Sequence, residues 1–351
     1  MLRILLLLML FSSTISAQDW VRKTDMPGPG RFWAASFICQ DKLYTGTGRP
    51  EFSSSTRLAD MWQYDFTLDT WTQVADFLGG GREGSTAFSY NGRGFVAFGT
   101  PFIQFTSDVW EYLPMTDSWQ QKASCPASFA FSHGFVIDDH FYIGPVNGSN
   151  KMYSYDIIND SWSEVASFPG ADRRAQVSFT ANGKGYIGMG AGVFGGVEDD
   201  FFRYDPASDS WEQIASISPT SDQSAAFSID NVGYVYNAGG SGGGKSIYRY
   251  DETLNAWELV STKPEERIAN CSMVSYGGSA YLTAGELTIS GSNNSSQQIW
   301  EFTPLVSSIP ETINEKLNVI SISSNSIQLN FTGQLSGECL IEIYSLNGSL
   351  I

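Results

Sequence analysis

The sequence predicts an all-β fold: a six-bladed β-propeller whose N-terminal strand closes the last blade, plus a short C-terminal β segment. Three observations predict it. An aromatic–Tyr–Trp pattern recurs five times at a nearly constant interval. The strands it implies are short and bounded by turn residues. The two ends of the repeat region hold complementary halves of a sixth unit. The 351 residues alone would admit two or three domains, but a repeat of this kind builds one ring and outranks length.

In each unit an aromatic, one intervening residue and a Tyr are followed seven residues later by a Trp. The pairs are Tyr64 and Trp71, Tyr112 and Trp119, Tyr155 and Trp162, Tyr204 and Trp211, and Tyr250 and Trp257. Successive Trp lie 48, 43, 49 and 46 residues apart, the length of a four-stranded blade. The Tyr strand alternates aromatic and polar residues, as a half-buried strand does. Asp, Ser, Thr and Pro then make a turn, as in Thr67-Leu68-Asp69-Thr70 and Pro206-Ala207-Ser208-Asp209-Ser210. The Trp opens the next strand. An apolar strand such as Thr86–Tyr90 and a Gly-rich aromatic strand such as Gly185-Tyr186-Ile187-Gly188 complete each unit.

The ends decide the blade count. Trp300-Glu301-Phe302 is a sixth Tyr-type strand with Phe302 in the Tyr place, but position 309, where its Trp should fall, is Ile. Asp19-Trp20-Val21-Arg22-Lys23 is a Trp strand with no Tyr strand before it. Trp20 is therefore expected to complete the sixth blade, leaving no open edge between first and last blades.

These residues resemble the Kelch repeat over about residues 19 to 303. The family's double glycine stands at Gly239-Gly240 and is reduced to single Gly elsewhere, as in Thr45-Gly46-Thr47-Gly48 and Met189-Gly190-Ala191-Gly192. The family implies aromatics filling the wedges between blades and Gly where backbones approach closely.

Charged residues make up 16 %, aromatics 14 %, and there are 35 Gly, a profile of short strands and tight turns rather than of helices or disorder. The formal charge of −17 repels phosphate backbones and argues against nucleic acid. Arg3, the apolar run at 4–11 and small residues to Ala17 read as a signal peptide at 1–17 cleaved after Ala17. The run is shorter than the roughly 20 residues of a span, so no transmembrane segment is expected and the protein is placed in the periplasm, at the cell surface or outside. Cys39, Cys125, Cys271 and Cys339 lack metal-ligand spacing and read as isolated thiols. The propeller is assigned to 18–304 and a linker to 305–317. Residues 318–351 form a partial β-rich segment. Its end, Ile341 to Leu350, resembles part of a C-terminal sorting domain of the bacterial type IX secretion system; a small β-sandwich appendage is the alternative.

Successive connections in an antiparallel blade alternate between the two faces of the ring. Loops at 51–55, 101–105, 192–196, 241–244 and 290–294 vary and share one face, where binding usually resides. Phe102, Phe105 and Phe194 there suit stacking on sugars, anchoring of a protein, or packing over their own loops. The segments leading into each blade lie on the same face. Arg31, Arg82 and Arg173 each stand 13 residues before the aromatic of the second strand, and Arg267 stands 14 before Tyr281. Either these arginines line a channel mouth suited to a carboxylate or acidic sugar, or each is structural, paired with Glu83, Asp172, Glu265 or Glu266. Glu198-Asp199-Asp200 lacks a spaced calcium loop and reads as a solvated turn. His133 and His140 fall in one blade, which excludes the copper oxidase built on Kelch blades. No GxSxG elbow or phosphate loop is present.

The expectation is an exported, monomeric, cofactor-free binding scaffold that recognises a protein or glycan through its loop-rich face, with no catalytic residue and no metal. The alternative is an enzyme on an acidic sugar, since six-bladed Kelch proteins include a sialic acid mutarotase (N-acetylneuraminate epimerase). Trp20 and Trp300, with the five Tyr–Trp pairs, are the residues expected to carry the architecture.

Overall fold

A computed structural model describes residues 19–145, 148–192, 195–239, 244–289, 292–304, 318–323 and 326–330. The leader, Phe194, Gly240, most of the 241–244 loop, the linker, Cys339 and the sorting-domain resemblance lie outside the described residues. The chain divides into two compact units, Met1–Pro304 and Leu305–Ile351. In the second, Asn318–Ser323 pairs antiparallel with Ser326–Asn330.

The first unit is a six-bladed propeller of four-stranded antiparallel sheets. From the channel outward, blade 1 is Ala35–Cys39, Lys42–Gly46, Met61–Asp65 and Thr70–Val74; blade 2 is Thr86–Tyr90, Arg93–Ala97, Val109–Leu113 and Ser118–Lys122. Blade 3 is Phe135–Ile137, His140–Ile143, Met152–Asp156 and Ser161–Val165, and blade 4 is Val177–Ala181, Lys184–Gly188, Phe201–Asp205 and Ser210–Ile214. Blade 5 is Ala225–Ile229, Val232–Asn237, Ser246–Asp251 and Ala256–Thr262. Blade 6 is Ser272–Tyr276, Ser279–Thr283 and Ile299–Phe302, closed by Trp20–Lys23. Trp20 stands opposite Phe302, the register in which Tyr64 faces Trp71 and Tyr204 faces Trp211.

The Tyr–Trp spacing has a physical reason beyond wedge filling. In five blades the Tyr hydroxyl donates to an Asp or Asn five residues on: Asp69, Asp117, Asp160, Asp209 and Asn255. Each of these residues adopts a left-handed φ, between 44° and 51°, which Asp and Asn tolerate best among residues with a side chain. The same side-chain oxygen accepts a backbone N–H from the preceding blade's outgoing segment: Thr24, Ala75, Ala123, Ala166 or Ala215. The Trp Nε1–H donates to the carbonyl of that same residue at 2.8–3.2 Å. One local motif thus clasps each blade to its neighbour. In blade 6 Phe302 stands in the Tyr place and brings no hydroxyl, and Trp20 Nε1 instead donates to Ser261 Oγ at 3.0 Å, which donates to Asp19.

Closer to the channel, Phe of one blade presses on the second strand of the next. A Cβ on Gly94, Gly185 or Gly233 would lie 2.0 Å from Phe37, Phe135 or Phe179 respectively. Those Phe stack on the aromatic opposite them, as Phe37 does on Tyr44 at 5.1 Å. In blade 3 the Gly place is taken by Phe141, and Phe88 stacks on it at 4.0 Å.

Short strands outside the blades differ from the expected loops. Arg173–Arg174 pairs with Ala191–Gly192, and Ile268–Ala269 pairs with Glu286–Ile289, which pairs with Ser292–Ser295. Residues 292–294 of the expected 290–294 loop thus lie in a paired strand. Backbone groups that leave the blades here find partners in each other.

Candidate functional site

Arg31, Arg82 and Arg173 turn into the protein, with relative exposures of 0, 3 and 0 %. Each forms a two-pronged pair with an Asp four residues before the repeat Tyr. Arg31 reaches Asp60 at 2.9 and 2.6 Å, and Arg82 reaches Asp108 at 2.7 and 3.0 Å. Arg173 reaches Asp200, with Nη2 to Oδ2 at 3.1 Å. Each also donates to a carbonyl at the end of the second strand: Thr47, Phe98 or Met189. Those carbonyl residues have φ of 56°, 62° and 56°, and the Gly after each has φ of 92°, 96° or 98°. A φ in that range is open to Gly alone without cost, so the repeat Gly and the repeat Arg serve one corner.

Of the two alternatives for Arg31, Arg82 and Arg173, their burial and pairing fit the structural one. Most of the donors of each guanidinium are thus committed to a carboxylate and to carbonyls. The counter-ions are Asp60, Asp108 and Asp200, not Glu83, Asp172, Glu265 or Glu266. Burial raises the Asp60 and Asp108 carboxyls, but the Arg and Trp hydrogen bonds and the Arg charge outweigh it and hold both below the ordinary value. Asp200, last of the acidic turn Glu198-Asp199-Asp200, is committed to Arg173. Arg267 is half-buried, and among the described residues its side chain meets Thr288 Oγ1 at 3.4 Å. In blade 6 the buried cation is Lys263, which donates to the carbonyls of Pro264 and Glu266 and lies 3.9 Å from the Trp300 ring centroid. Burial lowers it to about 8.

The innermost strands enclose a channel of about 320 Å³. Small neutral residues such as Ser36, Ala87, Ser89, Ser178, Thr180 and Ser228 line it, beside Phe88, Phe135, Phe179, Phe227 and Met273. Hydroxyls there lace adjacent blades, as Ser178 does to Gly134 O and Thr180 to Val136 O. At the N-terminal ends of these strands a backbone collar narrows the mouth. Gly84 N donates to Trp33 O, Phe131 N to Gly84 O, Ala175 N to Phe131 O, Asn270 N to Gln223 O and Trp33 N to Asn270 O, at 2.6–3.2 Å. Trp33, Gly84, Phe131, Ala175 and Asn270 all have φ between 50° and 64°. For Trp33 and Phe131 that conformation costs of order 1 kcal/mol or more each. The collar bonds hold it, and it sets the two rings edge-to-face at 4.9 Å beside the mouth.

Above the collar lies a pocket of about 230 Å³ lined by Trp33, Phe52, Phe131, Arg174, Asp222, Gln223 and Asn270. Arg174 is exposed and Asp222 half-buried. Among the described residues the side chain of neither has an ion-pair or hydrogen-bond partner. Sequence reading chose Arg173 and missed its neighbour. The usable signal was the strand alternation itself, which sends Arg173 inward and Arg174 outward.

Below the collar His133 and Cys271 line the neck. Burial pushes His133 down to about 4, so the imidazole is neutral at pH 7. It has no hydrogen-bond partner among the described residues. His140 bonds Asp139 at 2.8 Å, apart from the mouth. Cys39, Cys125 and Cys271 are free, and burial raises them to about 11, 12 and 12. Phe102 is exposed and Phe105 half-buried; neither lines the mouth pocket.

No protein-family model matches the chain. Over 132 residues it is 31 % identical to N-acetylneuraminate epimerase of Pasteurella multocida, covering 34 % of this chain and 33 % of that protein. Over 102 residues it is 28 % identical to N-acetylneuraminate epimerase of Yersinia enterocolitica, covering 27 and 26 %. The matches thus span about a quarter to a third of the length of these curated relatives. Kelch-like protein 25 of Xenopus tropicalis is 24 % identical over 272 residues, covering 71 % of this chain and 44 % of that protein. The solved structure of YjhT superposes with a TM-score of 0.63 at 17 % identity, covering 79 % of this chain and 95 % of that one. In fold and repeat the chain is a six-bladed Kelch-type propeller, similar in sequence to N-acetylneuraminate epimerases and to Kelch-like proteins.

Proposed function

We propose that the chain is an exported binding protein that holds a carboxylate-bearing sugar, free or at the end of a glycan, in the channel mouth. The observation that carries this reading is the pocket in which the side chains of Arg174 and Asp222 stand without a partner among the described residues, beside the rings of Trp33 and Phe131. A free guanidinium matches a carboxylate in two-pronged fashion. Aromatic faces take the apolar side of a sugar ring, and Asp222, Gln223 and Asn270 suit its hydroxyls and amide. Similarity to N-acetylneuraminate epimerases supports an acidic sugar as the ligand class. Export rests on the leader read at 1–17.

A second reading, an enzyme that interconverts forms of such a sugar, is favoured by His133: a neutral, unpartnered imidazole in the neck is able to accept a proton. Calorimetric titration with N-acetylneuraminate and with a neutral N-acetylated hexosamine tests the site. Only the acid is expected to bind, and Arg174→Ala should weaken it about 10- to 100-fold, the loss of one charge-assisted contact. Absent binding, or binding that Arg174→Ala leaves intact, overturns the assignment. Acceleration of anomer exchange of the same sugar, followed by NMR and lost in His133→Gln, would select the enzyme over the binding protein.

A further inference from the structure

The two charged side chains of the mouth pocket stand at different depths. Arg174, Phe52 and Ala191 line the pocket above the collar and not the neck. Asp222 lines both, as Trp33 and Phe131 do. The neck holds about 40 Å³, room for water but not for a sugar ring. A ligand entering from the mouth therefore stops at the collar, with Asp222 towards its inner end and Arg174 towards its outer end.

Opposite charges in one pocket ordinarily pair. Here Arg174 and Asp222 form no ion pair with each other, and the side chain of neither has another partner among the described residues. Asp222 is half-buried, so part of its hydration is already lost. For a ligand that brings only a carboxylate, Arg174 attracts while Asp222 repels within the same 230 Å³. A ligand that also brings a cation turns that repulsion into a second charge-assisted contact.

The aromatic side chains favour the same chemistry. Trp33 meets Phe131 at 73° and Phe52 at 86°, with ring centroids 4.9 and 5.8 Å apart. All three line the pocket, so near-perpendicular rings bound one space that also holds a carboxylate. Ring faces attract a cation, and the attraction grows as water is excluded. The left-handed φ of 55° at Trp33 and 56° at Phe131, held by the collar bonds, fixes two of the rings before a ligand arrives.

We propose that the mouth is built for a zwitterion: a sugar acid whose carboxylate meets Arg174 and whose free ammonium group meets Asp222 beside Trp33 and Phe131. The inference rests on the mouth being the site of a carboxylate-bearing sugar, and it narrows that class. An N-acetylated acid brings a neutral amide to the same place, which offers Asp222 one uncharged N–H instead of an ammonium.

Calorimetric titration at about pH 6, where an ordinary carboxylate and an amine are both charged, tests the proposal with two ligands. They are the methyl glycosides of neuraminate and of N-acetylneuraminate, which differ only at the nitrogen. The ammonium form should bind about 10-fold more tightly. Asp222→Asn should remove that preference by weakening the ammonium form, and should leave the N-acetylated form equal or tighter. Arg174→Ala should weaken both. Equal affinities, a preference for the N-acetylated form, or a preference that Asp222→Asn leaves intact overturns the proposal and leaves the acidic-sugar reading standing. Failure of both glycosides to bind, or indifference of both to Arg174→Ala, overturns the acidic-sugar reading and this inference with it. The wild-type comparison decides even if a variant folds poorly.

Discussion

Ring closure can be tested at one side chain. Trp20 is fully buried, its ring 5.2 Å from Phe302 and 6.1 Å from Tyr236 across the blade 5–6 boundary. Its Nε1–H satisfies Ser261. Truncation of a buried Trp to Ala costs about 3–5 kcal/mol, and loss of the Ser261 contact adds about 1 kcal/mol. A change of about 4–6 kcal/mol at about 2–4 °C per kcal/mol should lower Tm by roughly 10–20 °C. The matching residue of blade 1, Trp71, makes the same kind of hydrogen bond but is only half-buried, so Trp71→Ala should cost about half as much. Thermal and urea unfolding followed by near-ultraviolet circular dichroism compare the two. Deleting residues 18–24 should be worse still, because it unpairs the Ile299–Phe302 edge, whereas deleting 318–351 should leave the propeller transition in place. If Trp20→Ala costs no more than Trp71→Ala, or both deletions melt alike, the first strand does not hold the ring.

Three further outcomes follow from the geometry. Gly94→Val places a Cβ 2.0 Å from Phe37 and should destabilise by about 1–3 kcal/mol or more; a urea midpoint equal to wild type would show that blades 1 and 2 have room to part. Asp60→Asn keeps the shape but strips Arg31 of its counter-charge, a loss of about 3–5 kcal/mol, read by the same unfolding assay. Because Asp60 and Asp108 lie below their ordinary value of 3.8 in the fold, their stabilisation is present above that pH and is lost as pH falls through the lowered values. Acid unfolding of Asp60→Asn should therefore be less steep. His133, lowered to about 4 against 6.5, opposes folding as pH drops from 6.5 towards 4, since the unfolded chain takes up the proton first. An NMR titration of its ring should show no midpoint near 6.5, and His133→Gln should remove that part of the pH dependence of stability.

The blades were readable because their signature is local. Tyr64, Asp69 and Trp71 lie within eight residues of one another, and the turn that joins them also builds the clasp to the neighbouring blade. The split sixth blade was readable for the same reason: Phe302 lacks its Trp and Trp20 lacks its Tyr. Less could be read of the role of Asp69 and its equivalents, which look like ordinary turn residues until the N–H of the preceding blade is seen against them. The collar was not readable at all. Trp33, Phe131 and Ala175 are not residues that announce a left-handed conformation, and only the closing of six strands around a channel imposes it.

By itself, then, the sequence determined the number of blades, their strand order and the strand that closes them, because periodicity survives without knowledge of neighbours. It marked the positions of Arg31, Arg82 and Arg173 but not their direction. Tertiary structure decided that each meets an Asp 26 to 29 residues further on, inside the corner rather than at the mouth. It also decided that Arg174, one residue away on a strand whose side chains alternate, faces the pocket beside Trp33 and Phe131, its side chain without a partner among the described residues. Adjacent residues with the same chemistry were separated by the direction of a Cβ, which the composition of a repeat does not record.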